Sequence, residues 1–414
     1  MGVSTRKAWV IGLGVLLVAV TFCSGAARRA TAALQVSSDN PGSIVVFPKV
    51  ISNGTRDTVI TLTNTSNQYL FVHCWYVNTR CPEGESCCKV NFDVELTPRQ
   101  PTWWRVSEGR NIDSGKEKVP PGFFFTNIGA QPNFEGELKC AEVDDSGLPI
   151  ARNVLKGEAV LESLVCEDGV TDPSPETCGR GSISAYNAIA FEGGEGPVST
   201  CLGGAENNKS CLGTQSTTTQ TTPTLCKNGG GVCRTQLLLD GKQYAACPSA
   251  LHVTHYAQGA KDFADSSTVT GELTVVPCTE NFNDIPLPDP PGDLGRVVAQ
   301  LRAHDEYENE PLSYSVPFHC WYNFSLGETE AYDASFIGPY VKTRVLPLVG
   351  NGAGLLAVFE EFHTPAEPPT AGPPIIGTAA VNTHNVGTRE SCSGTGTGRT
   401  CVPRDAITLE DLQP

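Results

Sequence analysis

Cysteine spacing constrains this chain more than any other feature. Of its seventeen cysteines, Cys23 falls in a leader-like segment, which leaves sixteen for an exported chain. Cys166 and Cys178, Cys201 and Cys211, Cys226 and Cys233, and Cys392 and Cys401 each enclose a short loop. Cys81 faces the adjacent Cys87 and Cys88 across another. Loops of this length suit disulfides formed in an oxidising compartment. The C-x-x-C spacings of zinc and iron–sulfur sites are absent, so neither a metal nor a cofactor is expected. An even number permits complete pairing, but spacing alone does not fix which cysteine meets which.

The leader agrees with that compartment. Arg6 and Lys7 precede an apolar run from Ala8 to Phe22, followed by the small-residue stretches Ser24-Gly25-Ala26 and Ala30-Thr31-Ala32. This is the pattern of a secretory signal over residues 1–33, with cleavage near 26 or 32. The run falls short of the roughly 20 apolar residues a bilayer span needs, and no later segment approaches that length. The expected location is secreted, extracellular or periplasmic, with no transmembrane segment in the mature chain. Lipid anchoring through Cys23 is disfavoured by the bulky Phe22 before it. Removing the four basic leader residues leaves 25 basic against 45 acidic side chains. Such a field repels nucleic acid.

Apolar residues alternate with polar ones at period two, the signature of half-buried strands. Leu70, Val72, Cys74 and Tyr76 share a face, as do Phe92, Val94 and Leu96, and Phe134, Leu138 and Cys140. Tyr314, Val316, Phe318, Cys320, Tyr322 and Phe324 read as one continuous face. Turn signals at Asn53-Gly54, Asp240-Gly241 and Asn351-Gly352 separate such runs, and helical patterning is missing beyond the leader. The expected fold is all-β: one or two immunoglobulin-like antiparallel β-sandwiches stapled by disulfides. Cys74 and Cys140, on the apolar faces of two strands, are expected to bridge the two sheets of the first sandwich. Cys247 with Cys278 is the second expected long-range bridge. Cys320 and one of Cys87 or Cys88 are then left over.

The division expected is 34–200 as an N-terminal β-sandwich domain and 201–235 as a Gly/Thr-rich, disulfide-clipped insertion or linker. Residues 236–414 form a C-terminal β-rich domain. One tetrapeptide occurs twice, as His73-Cys74-Trp75-Tyr76 and His319-Cys320-Trp321-Tyr322. It signals either a duplicated sandwich or convergent core chemistry.

No nucleophile elbow, H-E-x-x-H, P-loop or EF-hand loop is present. His252 and His255 would face opposite sides of a strand, which is wrong for shared metal ligation. Glu360, Glu361 and His363 are the only acid/base candidates, with a charged strand end as the simpler reading. In Trp103-Trp104 one indole enters the core and the other faces outward. The outward ring either stacks on a sugar or lies under the loop that follows. Asn53, Asn64, Asn208 and Asn323 begin glycosylation sequons.

Several strings occur together: G-S-I-V-V-F-P (42–48), R-D-T (56–58), N-T-S (64–66), H-C-W-Y-V-N (73–78), F-E-G-E-L-K-C (134–140), L-K-G-E-A (155–159), V-P-C-T-E (276–280) and V-F-E-E-F-H (358–363). The set resembles a group of uncharacterised exported bacterial proteins of unknown function with β-sandwich-like patterning. The resemblance implies export and a β-rich ectodomain, and it transfers no catalytic residue.

The expectation is therefore a secreted or cell-surface protein with a non-catalytic binding, adhesive or envelope-structural role, its partner an envelope protein or a glycan. Two competing readings remain. One is an extracellular hydrolase or carbohydrate-active enzyme built on Glu360, Glu361 and His363. The other is a carbohydrate-binding module built on Trp103 or Trp104.

Overall fold

A computed structural model describes residues 35–80, 87–110, 128–143, 147, 149–165, 179–193, 198–202, 232–236, 247–248, 250–278, 296–309, 312–349, 354–366, 377–382, 384–385, 390–393 and 400–403. Among these the fold is antiparallel β almost throughout, with one four-residue helix, α1 (Ala334–Ile337). By its contacts the chain from Leu34 to Pro414 forms one unit.

Four sheets carry the fold. The first has the order β1 (Val36–Ser37), β10 (Ile189–Phe191), β2 (Ile44–Ser52), β7 (Phe134–Val143), β4 (Leu70–Asn78) and β5 (Cys88–Leu96). The second is β6 (Pro101–Arg105), β3 (Arg56–Asn64), β8 (Leu155–Val165) and β9 (Gly179–Asn187). The third is β17 (Tyr322–Ser325), β14 (Thr268–Cys278), β19 (Gly354–Thr364) and β20 (Gly377–Asn382). The fourth is β16 (Leu312–His319), β15 (Arg296–His304), β18 (Tyr340–Val349), β13 (Leu251–Tyr256) and β21 (His384–Asn385). Two short ribbons stand apart: β11 (Val198–Leu202) with β12 (Val232–Gln236), and β22 (Glu390–Ser393) with β23 (Thr400–Pro403).

Three apolar clusters hold the sheets together. Val72, Cys74, Tyr76 and Leu138 of the first sheet meet Ile60, Leu62, Trp104 and Leu161 of the second. Leu273, Val275 and Phe359 of the third meet Val253, Val297, Leu301 and Val345 of the fourth. The third cluster joins the first and third sheets, with Ile44, Val46, Trp75 and Phe191 against Val276, Cys278, Trp321 and Leu356. Strand β2 is buried at every position because both its faces are covered. A strand in that setting reads as a continuous apolar run instead of an alternating one. The result is four blade-like sheets and not a clear immunoglobulin-type sandwich.

Two expectations are corrected here. Cys74 and Cys140 are joined, but within one sheet: they are register partners on β4 and β7, with Cα atoms 4.1 Å apart. Inward-facing cysteines satisfy an intra-sheet and an inter-sheet bridge equally in a sequence pattern, and only strand neighbours decide between them. The run from Tyr314 to Phe324 is not one strand. Cys320 takes a left-handed backbone (φ 51°), the Trp321 amide donates to the His319 carbonyl, and the chain leaves the fourth sheet to enter the third. This three-residue turn separates the two copies of the repeated tetrapeptide in conformation, since the first copy lies inside β4. Their tryptophans nevertheless meet in the same cluster.

Cys247 and Cys278 are joined, as are the leftover cysteines Cys87 and Cys320, 233 residues apart in sequence. In the β11–β12 ribbon the backbone register sets Cys201 opposite Cys233. Cys392 stands opposite Cys401. Cys166, Cys178, Cys211, Cys226 and Cys81 lie outside the described residues.

Candidate functional site

The site begins with a proline. Pro48 sits within the central strand β2, where it has no amide hydrogen to give a neighbouring strand. The β2–β7 register slips between Phe47 and Val50, which makes room for an extra residue. The hydroxyl of Tyr186, on β9, takes over there. It accepts from the Lys49 amide at 3.0 Å and donates to the Lys49 carbonyl at 2.6 Å. The Pro48 carbonyl accepts from Trp321 Nε1 at 2.8 Å. The distortion holds Lys49 fully buried.

A buried ammonium must be paired, and Lys49 has two carboxylate partners, Glu272 at 2.8 Å and Glu360 at 3.0 Å. Arg56, at the start of β3, donates through Nη2 to both Glu360 oxygens, at 2.6 and 2.8 Å, and its guanidinium lies 5.6 Å from the Phe362 ring centre. Ser184 adds a hydrogen bond to Glu360 at 2.6 Å. Asn323 donates to Glu272 at 3.0 Å and accepts from Lys49 and Thr274. Two cations and two anions thus neutralise each other where the first three sheets converge. Burial alone would raise the Glu360 carboxyl, but Lys49 and Arg56 outweigh it and bring it down to about 2. Burial opposes ionisation of Glu272 as well, and Lys49, Asn323 and Arg56 again leave its carboxyl below the usual range.

A cleft of about 420 Å³ opens over this quartet. Asn53, Arg56, Thr79 and Glu135 line it from the first two sheets, and Glu272, Trp321, Tyr322 and Asn323 from the other side. Asn53 donates to Glu135 Oε1 at 2.8 Å, and Arg80 pairs with the same oxygen. The sequon residues Asn53 and Asn323 therefore serve as fixed side-chain hydrogen-bond partners here. Asn64, fully buried, donates to the backbone carbonyls of Gln68 and Thr97.

The acid/base candidates do not converge. Glu360 and Glu361 point to opposite faces of β19: Glu360 joins the buried quartet, while Glu361 accepts from the Tyr256 amide at 2.9 Å. His363 sits on the Glu361 side, 3.0 Å from Asp262 and 3.4 Å from the Ser267 hydroxyl. Ser, His and Asp are the right residue types for nucleophilic catalysis, but both contacts fall on His363 Nδ1. A base must hold its orienting carboxylate on one ring nitrogen and its nucleophile on the other. This trio cannot relay a proton through the ring.

Trp104 is buried and donates from Nε1 to the Tyr76 hydroxyl at 2.7 Å, while Trp103 is 64% exposed. His255 is buried, stacked on Phe359 and bonded to Thr343, and burial lowers its imidazole to about 4. Among the described residues, no group of three or more His, Cys, Asp or Glu side chains is placed to hold a metal ion. None of their helices is long and apolar enough to cross a membrane.

Sequence reading missed Lys49, Arg56, Glu272 and Glu135. The one local signal was Pro48-Lys49 interrupting the apolar run from Ile44 to Ile51. A proline and a charge inside a core strand mark a bulge with a buried partner.

No family model matches the chain, and no curated protein does. Among solved structures, the naturally occurring empty particles of cowpea mosaic virus (top component) align over 87% of this chain and 94% of that one. The identity is 9% and the TM-score 0.15, too low to carry an argument.

Proposed function

We propose that the chain is a secreted or cell-surface protein with a non-catalytic binding, adhesive or envelope-structural role. It carries an N-terminal signal and its sheets serve as immunoglobulin-like sandwich units. The resemblance to exported bacterial proteins and the disulfide framework support export. One observation carries the non-catalytic reading: the charged groups nearest a cleft are committed to each other. Glu360 is buried, ionised and held by Lys49 and Arg56, so it neither donates a proton near neutral pH nor reaches a substrate. A catalytic acid needs a carboxyl shifted towards the working pH, and this one is shifted away.

The test is a turnover screen of the exported protein against ester, peptide and glycoside substrates, alongside His363→Ala and Glu361→Gln. The expected result is no turnover by any of the three. Turnover that disappears in either variant would establish the hydrolase reading instead. Fractionation of cells expressing the whole chain tests location: the protein is expected in the medium or envelope fraction, shortened by its leader.

A further inference from the structure

The fourth sheet differs in charge from the rest of the molecule. Its strands β16, β15, β18, β13 and β21 contain no aspartate or glutamate, although the whole chain carries a formal net charge of −16. One face of the sheet enters the core through Val253, Leu301 and Val345. Alternation along each strand sends the intervening side chains to the other face. There Arg344 on β18 is the register partner of both His252 on β13 and Arg302 on β15, which makes one row across three strands. Ser313 on β16, opposite Arg302, extends the row with an exposed hydroxyl. Lys342 and His304 pair in the next row on the same face. Asp305, just past the end of β15, spends its carboxylate on Asn309 and the Tyr307 amide. Side chains directly opposite on antiparallel strands have Cβ atoms about 5 Å apart, and like charges placed so repel. The arginine pair therefore destabilises the sheet until an anion joins it.

Arg344 points to the kind of anion. Its Nε and Nη2 atoms are buried and have no hydrogen-bond partner. These two nitrogens form the side-on edge of the guanidinium, the fork that holds an oxyanion by two parallel N–H···O bonds. Donors desolvated in this way are costly until an acceptor meets them. Arg302 is oriented beside the fork, with its Nε donating to Gln300 Oε1 at 3.0 Å. Arg344, Arg302 and His252 are each half-buried and Lys342 is exposed, so the row is reached from solvent. We infer that this row is a binding site for a doubly charged tetrahedral oxyanion, a phosphate or sulfate group. Arg344 grips it side-on, Arg302 and His252 flank it, and Lys342 stands at the rim. Two guanidinium charges suit a dianion better than a carboxylate, which brings a single charge. None of these residues lines the cleft over Lys49. The inference goes beyond the proposed function and stands independently of it.

The test uses the exported protein with intact disulfides, in mildly alkaline buffer at constant ionic strength. Calorimetry and hydrogen-exchange mass spectrometry are run with inorganic phosphate, inorganic sulfate and methyl phosphate, and with acetate and chloride as comparators. Phosphate or sulfate is expected to bind saturably and to slow exchange in the peptides covering β15 and β18. Acetate should bind at least tenfold more weakly. Methyl phosphate binding alongside the inorganic ions would support a site for a phosphate group carried on a larger molecule. Binding of the inorganic ions alone would support a site for the free ion. Arg344→Lys keeps the charge and removes the fork, so it should weaken binding at least tenfold. Lys89→Gln removes an exposed cation from the first sheet and should leave the affinity unchanged. If Arg344→Lys does not fold, the exchange map of the wild-type protein decides the matter. The assignment is overturned by no saturable binding, by protection lying away from β15 and β18, or by acetate binding as tightly as phosphate. It is equally overturned if Arg344→Lys keeps the wild-type affinity, or if Lys89→Gln loses as much as Arg344→Lys does. Each of those outcomes leaves the non-catalytic reading standing, because that reading rests on Glu360.

Discussion

Lys49 Nζ lies 3.0 Å from Glu360 Oε2, with both side chains buried, although 311 residues of chain separate them. The pair joins β2 of the first sheet to β19 of the third. Removing one partner strands the other charge in a desolvated setting, at a cost of about 3–5 kcal/mol. Lys49→Met and Glu360→Gln are each expected to lower the urea midpoint by a corresponding amount. The double variant is expected to recover part of that loss. Purely additive losses would mean that the two charges do not interact.

Acid should loosen this junction in a defined window. The folded Glu360 carboxyl is held at about 2, below its ordinary value of 4.5. Its contribution is complete above pH 4.5 and drains away as pH falls towards 2, by about 3 kcal/mol. His255 acts earlier. Its folded value of about 4 lies below the ordinary 6.5, so the unfolded chain takes up the proton first and stability falls from pH 6.5 down to 4. Melting temperature against pH should show both descents. His255→Leu should remove the upper one and leave the lower.

The adjacent tryptophans should separate cleanly. Trp104→Ala empties a core position and leaves the Tyr76 hydroxyl without its donor, at a cost of about 3–5 kcal/mol. Trp103→Ala should change stability by no more than about 0.5 kcal/mol. Equal losses from the two would contradict their opposite burial.

Peptide mapping of the non-reduced protein should return Cys74–Cys140, Cys87–Cys320 and Cys247–Cys278. Recovery of Cys74 or Cys140 as a free thiol would contradict their pairing across β4 and β7.

Periodicity made the strands legible because a strand with one covered face must alternate. Leu70 to Tyr76 and Phe92 to Leu96 are buried on the face their pattern marked. Alternation failed at Cys320, where a long-range disulfide and the insertion of Trp321 beneath Pro48 overrode a good strand pattern. It also could not tell whether Glu360 and Glu361 worked together. Neighbours on a strand face opposite ways, and only the packing of β19 between other strands showed where each face led.

The sequence by itself determined the class of structure: antiparallel strands, inward cysteines, and one inward and one outward indole in the Trp103-Trp104 pair. These follow from residue chemistry and a period of two, which are local. Tertiary structure alone decided which strands are neighbours. It therefore placed Cys74 and Cys140 in one sheet, sent Glu360 to a lysine more than 300 residues away, and assembled a cleft from residues no motif connects. Pairing between distant segments depends on the shape and charge of surfaces that exist only after the sheets have formed.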